Sequence, residues 1–145
     1  MITPFVMLVD DEIPFVEAMT KRLEKRTIKV ISSHGGQEAL ETLDKNRNID
    51  VVILDVKMPG MDGIETLGEI KKRYPLTEVI MLTGHATVET AIEGMKRGAY
   101  DYLMKPCDMV QLMLKVEGAT KKKRDHEEKI REAKVTELLS KHGLG

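Results

Sequence analysis

The sequence predicts an α/β protein, a five-stranded parallel sheet covered by helices on both faces. Two observations carry that prediction. Strand-length apolar runs alternate with stretches of helical periodicity, five times in about 120 residues. Polar, chemistry-bearing residues stand just after most of those runs, where open α/β sheets bind their ligands. The length of 145 residues suits one domain, and it is enough to bury a core without disulfides or a structural metal.

Taken in order, Phe5 to Val9 is continuously apolar, as a strand buried on both faces requires. Phe15, Val16, Met19 and Leu23 follow at helical spacing, with Pro14 where a first helical turn tolerates it. Ile28 to Ile31 reads as a short second strand, and Ala39, Leu40 and Leu43 mark the second helix. Val51 to Leu54 is the clearest strand; Ile64, Leu67, Ile70 and Tyr74 give the helix after it. Val79 to Leu82 is the fourth strand. Val88, Ala91, Ile92 and Met95 form the next helical stripe, and Gly98 suits its C-terminal cap. Tyr100 to Met104 is the fifth strand, and Met109, Leu112, Met113 and Val116 give the fifth helix.

After Val116 the apolar stripe stops until Ile130, Ala133, Leu138 and Leu139. Residues 115–145 hold 15 of the 47 charged side chains, 9 of them basic and 6 acidic, leaving the preceding body at a net −4. Pairs such as Glu117–Lys121 and Glu127–Arg131 have the favourable i,i+4 orientation. The expectation is a domain over 1–118 and a charged helical extension or linker over 119–145. Lys121-Lys122-Lys123-Arg124 reads as a solvated helix face. The gap in the stripe argues against a strong coiled coil, although 117–142 could still pair two chains.

Composition narrows the function classes. A net charge of −1 gives no global reason to bind nucleic acid or membranes. One cysteine, Cys107, excludes an intrachain disulfide and a Cys-based zinc site. No run is long enough to span a bilayer and no secretory signal opens the chain, so a cytoplasmic location is expected.

The chemistry collects at the strand ends. Asp10-Asp11-Glu12 follow the first strand, Asp55 the third, Thr83-Gly84 the fourth and Lys105-Pro106 the fifth. Crowded carboxylates repel, and a cluster that stays ionised near neutral pH wants a cation. Hard oxygen ligands without His or Cys suit Mg²⁺, which also accepts phosphate oxygens. With Lys105 on the other side, the rim suits a dianionic phosphoryl group, and a carboxylate can itself accept that group.

The order Asp10-Asp11, Asp55-Val-Lys-Met-Pro-Gly-Met-Asp-Gly63, Thr83-Gly84, Lys105-Pro106 resembles the receiver domain of bacterial two-component response regulators, over roughly residues 4–118. The resemblance implies a flavodoxin-like strand order of 2-1-3-4-5. It implies Asp55 as phosphoacceptor, with Asp10, Asp11, Asp55 and the backbone carbonyl of Lys57 around Mg²⁺. It further implies Thr83 as switch hydroxyl, Lys105 as phosphate-binding cation, Tyr102 as switch aromatic and a cis Lys105–Pro106 bond. Lys57 and His85 match positions that flank the attacking water and tune phosphate lifetime. A nucleotide site is not expected.

The function so implied is a phosphorylation-activated switch rather than a turnover enzyme. Its partners are a sensor histidine kinase or phosphotransfer protein and a downstream protein on the helix 4–strand 5–helix 5 face. A homodimer is open; membrane and direct nucleic-acid contacts are not expected. The motifs Gly84-His85-Ala86-Thr87 and Gly98-Ala99-Tyr100-Asp101-Tyr102 look most like receivers of the NtrC type. A stand-alone receiver with a helical extension is the first expectation, and a fragment of a sigma-54-type activator the second. An aspartyl-phosphate hydrolase of the haloacid dehalogenase type needs a second Asp two residues after the first, where Lys57 stands. A nucleotide- or flavin-binding protein needs a glycine-rich loop, where Asp10-Asp11-Glu12 stand.

Overall fold

The computed structural model describes residues 3–143. The elements run β1 (Phe5–Val9), α1 (Ile13–Glu24), β2 (Lys29–Ser33), α2 (Gly36–Lys45), β3 (Val51–Leu54), α3 (Gly63–Arg73), β4 (Glu78–Thr83), α4 (Val88–Lys96), β5 (Asp101–Met104) and α5 (Met109–Lys141). All strand pairs are parallel, in the order β2-β1-β3-β4-β5. The expected class and order are those observed.

The apolar strands serve two cores at once, because successive side chains point to opposite faces. Phe5, Met7, Val9, Val52, Leu54, Val79 and Met81 join one core with Leu40, Leu43, Leu67 and Ile70 from α2 and α3. Val6, Leu8, Val51, Ile53, Ile80 and Leu82 join the other with Val16, Met19 and Leu23 from α1 and Leu112 and Val116 from α5. A one-residue slip of β1 or β3 would exchange these sets, so the register is tightly specified. That register aligns β1 with β3, and the Asp55 N–H donates to the Val9 carbonyl at 3.0 Å.

Four details differ from the expectations. First, β2 lies two residues later at its C-terminal end, through Ser33, because this edge strand is defined by its pairing of Leu8 with Ser32 and Val9 with Ser33 rather than by apolar content. Second, β5 starts at Asp101, although the Tyr100 N–H still donates to the Val79 carbonyl at 2.7 Å.

Third, the α4 stripe does not face the core. Val88 is 73% exposed, Ile92 51% and Met95 48%. The helix instead turns Gly94 inward, where a β-carbon would lie 3.5 Å from the Tyr102 ring.

Fourth, the basic run in the middle of α5 is only partly a solvated face: Lys121 and Lys122 are exposed, but Lys123 is buried and Arg124 half-buried. α5 is one continuous helix of 33 residues, and Ala119, Thr120 and Lys123 are buried. Asp50 and Glu78 open adjacent strands, both buried, at the pole of the sheet opposite Asp55. Lys123 donates to Asp50 at 3.2 Å, and Arg124 reaches both Asp50 oxygens at 3.0 and 2.9 Å. The Phe5 N–H adds a third kind of donor at 2.9 Å. Lys71 and Lys122 each lie 3.4 Å from Glu78. Burial alone would raise the Asp50 carboxyl, but hydrogen bonds from Arg124 and Phe5 and the charge of Lys123 hold it below the ordinary aspartate value. The basic run thus pins α5 to the body.

Candidate functional site

Asp10 and Asp55 continue β1 and β3 past their last paired residues, and both side chains are buried, at 1% and 2% exposure. Oxygens of Asp10, Asp11 and Asp55 all lie within 4.8 Å of one another. Lys105 approaches across the sheet edge from β5. Its ammonium donates to Asp10 at 2.6 Å and to Glu12 at 3.1 Å, and stands 4.0 Å from Asp55. The Lys105–Pro106 bond is cis, as the resemblance implies.

The charge at this rim is under-neutralised. Among the described residues three clustered acids and Glu12 share one ion-paired lysine, Lys105, while Lys57 stands exposed on the adjoining cleft. Burial pushes the Asp10 carboxyl above its ordinary value, and the Asp55 charge adds to the rise; the Lys105 and Glu12 N–H hydrogen bonds only partly oppose it. Burial works against the Lys105 charge, but hydrogen bonds to Asp10 and Glu12 outweigh it and hold the ammonium above its ordinary value. Asp55 is oriented by its own backbone, with Oδ1 accepting from the Val56 N–H at 2.8 Å. The donor set, all carboxylate oxygen, fits a hard divalent cation such as Mg²⁺.

Asp11, Asp55, Lys57, Met58 and His85 share an open cleft of about 420 Å³. Thr83 ends β4 next door and is fully buried; its hydroxyl accepts from the His85 N–H at 3.0 Å. Lys57 and His85 are exposed on that cleft. Tyr102 stands apart, half-buried on β5, with its hydroxyl 2.6 Å from that of Thr90. Thr90 in turn forms the capping box of α4 with Thr87, so Tyr102 is tied to the start of that helix. Asp10, Asp11, Asp55, Thr83 and Lys105 come together at the rim, with Lys57 and His85 on the cleft beside it, while Tyr102 lies behind it.

Two contributors had weak or no sequence signals. Glu12 adjoins the Asp10-Asp11 pair, and only the fold reveals its contact with Lys105. Asp62-Gly63 reads as turn chemistry, and Asp62 does cap α3 by accepting from the Glu65 N–H at 2.9 Å. Gly63 does more: a β-carbon there would meet the Asp55 carbonyl oxygen at 2.0 Å. A glycine is required because the start of α3 lies directly against the backbone at the end of β3.

The match to known proteins is specific. The family model described as "Response regulator receiver domain" matches residues 6–117, and the chain belongs to that family. The transcriptional regulatory protein ZraR of Escherichia coli is 40% identical over 114 residues, which are 79% of this chain and 26% of that protein. The DNA-binding transcriptional regulator NtrC of Escherichia coli is 35% identical over 79% of this chain and 24% of its own length. The chain therefore spans about a quarter of these curated relatives. Among solved structures, a response regulator receiver domain protein from Clostridium thermocellum superposes with a TM-score of 0.79 at 36% identity, covering 83% of this chain and 97% of that one. Receiver domains are signalling domains, not turnover enzymes. Among the described residues no helix is long and apolar enough to cross a membrane.

Proposed function

We propose that this chain is a phosphorylation-dependent switch whose phosphoacceptor is Asp55. The observation that carries the reading is the convergence of Asp10, Asp11 and Asp55 within 4.8 Å, faced by a single lysine. In the proposed step an Asp55 oxygen attacks the phosphorus of a phosphohistidine on a sensor kinase or phosphotransfer protein. The P–N bond breaks and its electron pair stays on the imidazole nitrogen. Asp10, Asp11, Asp55 and the Lys57 carbonyl would hold Mg²⁺, which supplies charge neutralisation for the phosphoryl oxygens. Lys105 neutralises the other side. The Thr83 hydroxyl, now occupied by the His85 N–H, donates to the new phosphoryl group after the β4–α4 loop rearranges.

The added charge of about −1.5 to −2 biases a pre-existing equilibrium between two arrangements. Tyr102, through its hydrogen bond to Thr90, couples that equilibrium to the start of α4. The outward residues Val88, Ile92, Met95, Met104, Val110 and Leu114 make the α4–β5–α5 face apolar and ready for a protein partner or a second copy of this chain. Lys57 and His85 tune hydrolysis of the phosphoryl group; an unchanged decay rate after exchanging both removes that role. Of the extension expected over 119–145, the turns of α5 beyond Arg124 serve as helical linker or extension. The coverage of about a quarter of ZraR and NtrC supports a second reading of the output, in which this receiver controls an activator ATPase in a longer protein.

The test is intact mass after incubation with Mg²⁺ and acetyl phosphate, beside Asp55→Ala. The wild type gains one labile phosphoryl group and the variant none. A wild type that stays unmodified, even with phosphorylated kinase supplied, defeats the proposal.

A further inference from the structure

A lysine ammonium is a compact charge on a flexible four-carbon stem, and it neutralises a phosphoryl group only where something fixes it. Lys105 comes from the end of β5, yet its hydrogen-bond and ring contacts lie within residues 10–15, with Asp55 farther off at 4.0 Å. Asp10 and Glu12 accept its hydrogen bonds at 2.6 and 3.1 Å. The third side is the ring of Phe15, whose centroid lies 4.0 Å from Nζ.

These three holds differ in kind. Asp10 belongs to the acid cluster, so a cation bound there competes with Lys105 for its charge. The Glu12 side chain is 60% exposed, so water and salt screen its attraction. Phe15 carries no net charge, ligates nothing and is only partly exposed, packing on the core that α1 and α5 share with the sheet. The Lys105 side chain is 14% exposed, and a cation–π contact strengthens as the cation loses water. Pro14, in the first turn of α1, fixes where that helix starts and therefore where the ring lies.

We infer that Phe15 is a positioning residue for phosphoryl transfer, whose ring face holds the Lys105 ammonium within reach of Asp55 when the acids at the rim are engaged elsewhere. The inference rests on the phosphoacceptor reading for its consequence, but the placement of Lys105 can be measured without phosphorylation.

The experiment compares wild type with Phe15→Leu, which keeps apolar bulk, and Phe15→Tyr, which keeps the ring face. The readouts are the rate of Asp55 modification by acetyl phosphate in saturating Mg²⁺ and the NMR shift of the Lys105 ε-protons, which a ring face moves upfield. Phe15→Leu should slow modification about five- to tenfold, equivalent to about 1.0–1.4 kcal/mol, and abolish the upfield shift. Phe15→Tyr should restore both. An unchanged rate in Phe15→Leu, or equal slowing in both variants with the shift intact, overturns the inference. If the wild type takes no phosphoryl group, the phosphoacceptor reading fails, and the shift alone decides the placement: lost in Phe15→Leu supports it, absent in wild type overturns it.

Discussion

The two poles of the sheet hold the same ingredients in opposite balance. At the N-terminal pole, buried Asp50 and Glu78 meet Lys71, Lys122, Lys123 and Arg124. At the C-terminal pole, Asp10, Asp11, Glu12 and Asp55 meet Lys105. Asp50 and Asp10 are equally buried, yet the Asp50 carboxyl sits below its ordinary value and that of Asp10 above it. The difference lies in the count of cations and fixed N–H donors, not in depth. A pole with surplus positive charge is a structural pin. A pole short of it is a place where a cation or a change of charge has work left to do.

The comparison breaks first at Asp50. Asp50→Ala leaves buried Lys123 with only the more exposed Glu127 at 3.1 Å, Arg124 without its carboxylate and the Phe5 N–H without an acceptor. Removing one partner of a buried pair costs about 3–5 kcal/mol. We expect Tm to fall by roughly 8–15 °C; a fall under about 2 °C would show that the pin is ornamental.

The site pole should respond in the other direction. With Mg²⁺ at about 100 times its Kd, the wild type gains about 2.7 kcal/mol of stability in urea unfolding. Asp55→Asn should lose most of that gain. The same variant, measured without metal, should be about 0.5–1 kcal/mol more stable than wild type, because one repelling charge has gone. Metal-free destabilisation of equal size would reverse the assignment of repulsion to this rim.

Titration separates the poles further. The folded-state value of Asp50 lies below that of the unfolded chain, so the unfolded chain binds the proton first as pH falls. Its stabilising contribution is complete above the ordinary aspartate value of about 3.9 and disappears as pH drops through the lowered folded value. Asp50→Asn should therefore flatten the acid limb of the stability curve below about pH 4. An acid limb of unchanged slope would place that dependence on other carboxylates.

The smallest effect belongs to the solvent side of the basic run. Lys121 pairs with Asp125 at 2.7 Å, and both side chains are more than half exposed. Lys121→Ala should move Tm by less than about 1 °C. A larger shift would make Lys121 part of the pin.

What the sequence made legible follows the same division. Strands buried on both faces announce themselves as apolar runs, and the residues after them could be collected at one rim without knowing any contact. Asp10, Asp11, Asp55, Thr83 and Lys105 were found that way. Lys123 and Arg124 were not, because their partner Asp50 lies more than 70 residues away and a lysine run looks the same solvated or docked. The α4 stripe misled for a related reason: periodicity shows that a helix has an apolar face but not what covers it. Gly63 and Phe15 escaped because a close backbone approach and a ring under an ammonium leave no pattern in the chain.

The pin has a mechanical consequence. Past Arg124, α5 continues to Lys141 with its side chains almost all in solvent. At 1.5 Å per residue this is an unsupported arm of about 25 Å. A pivot at its root turns angle into distance, so a tilt of about 10° at Arg124 would sweep the tip through about 4 Å on that length. Motion too small to register inside a packed core would be plain at the far end of such an arm.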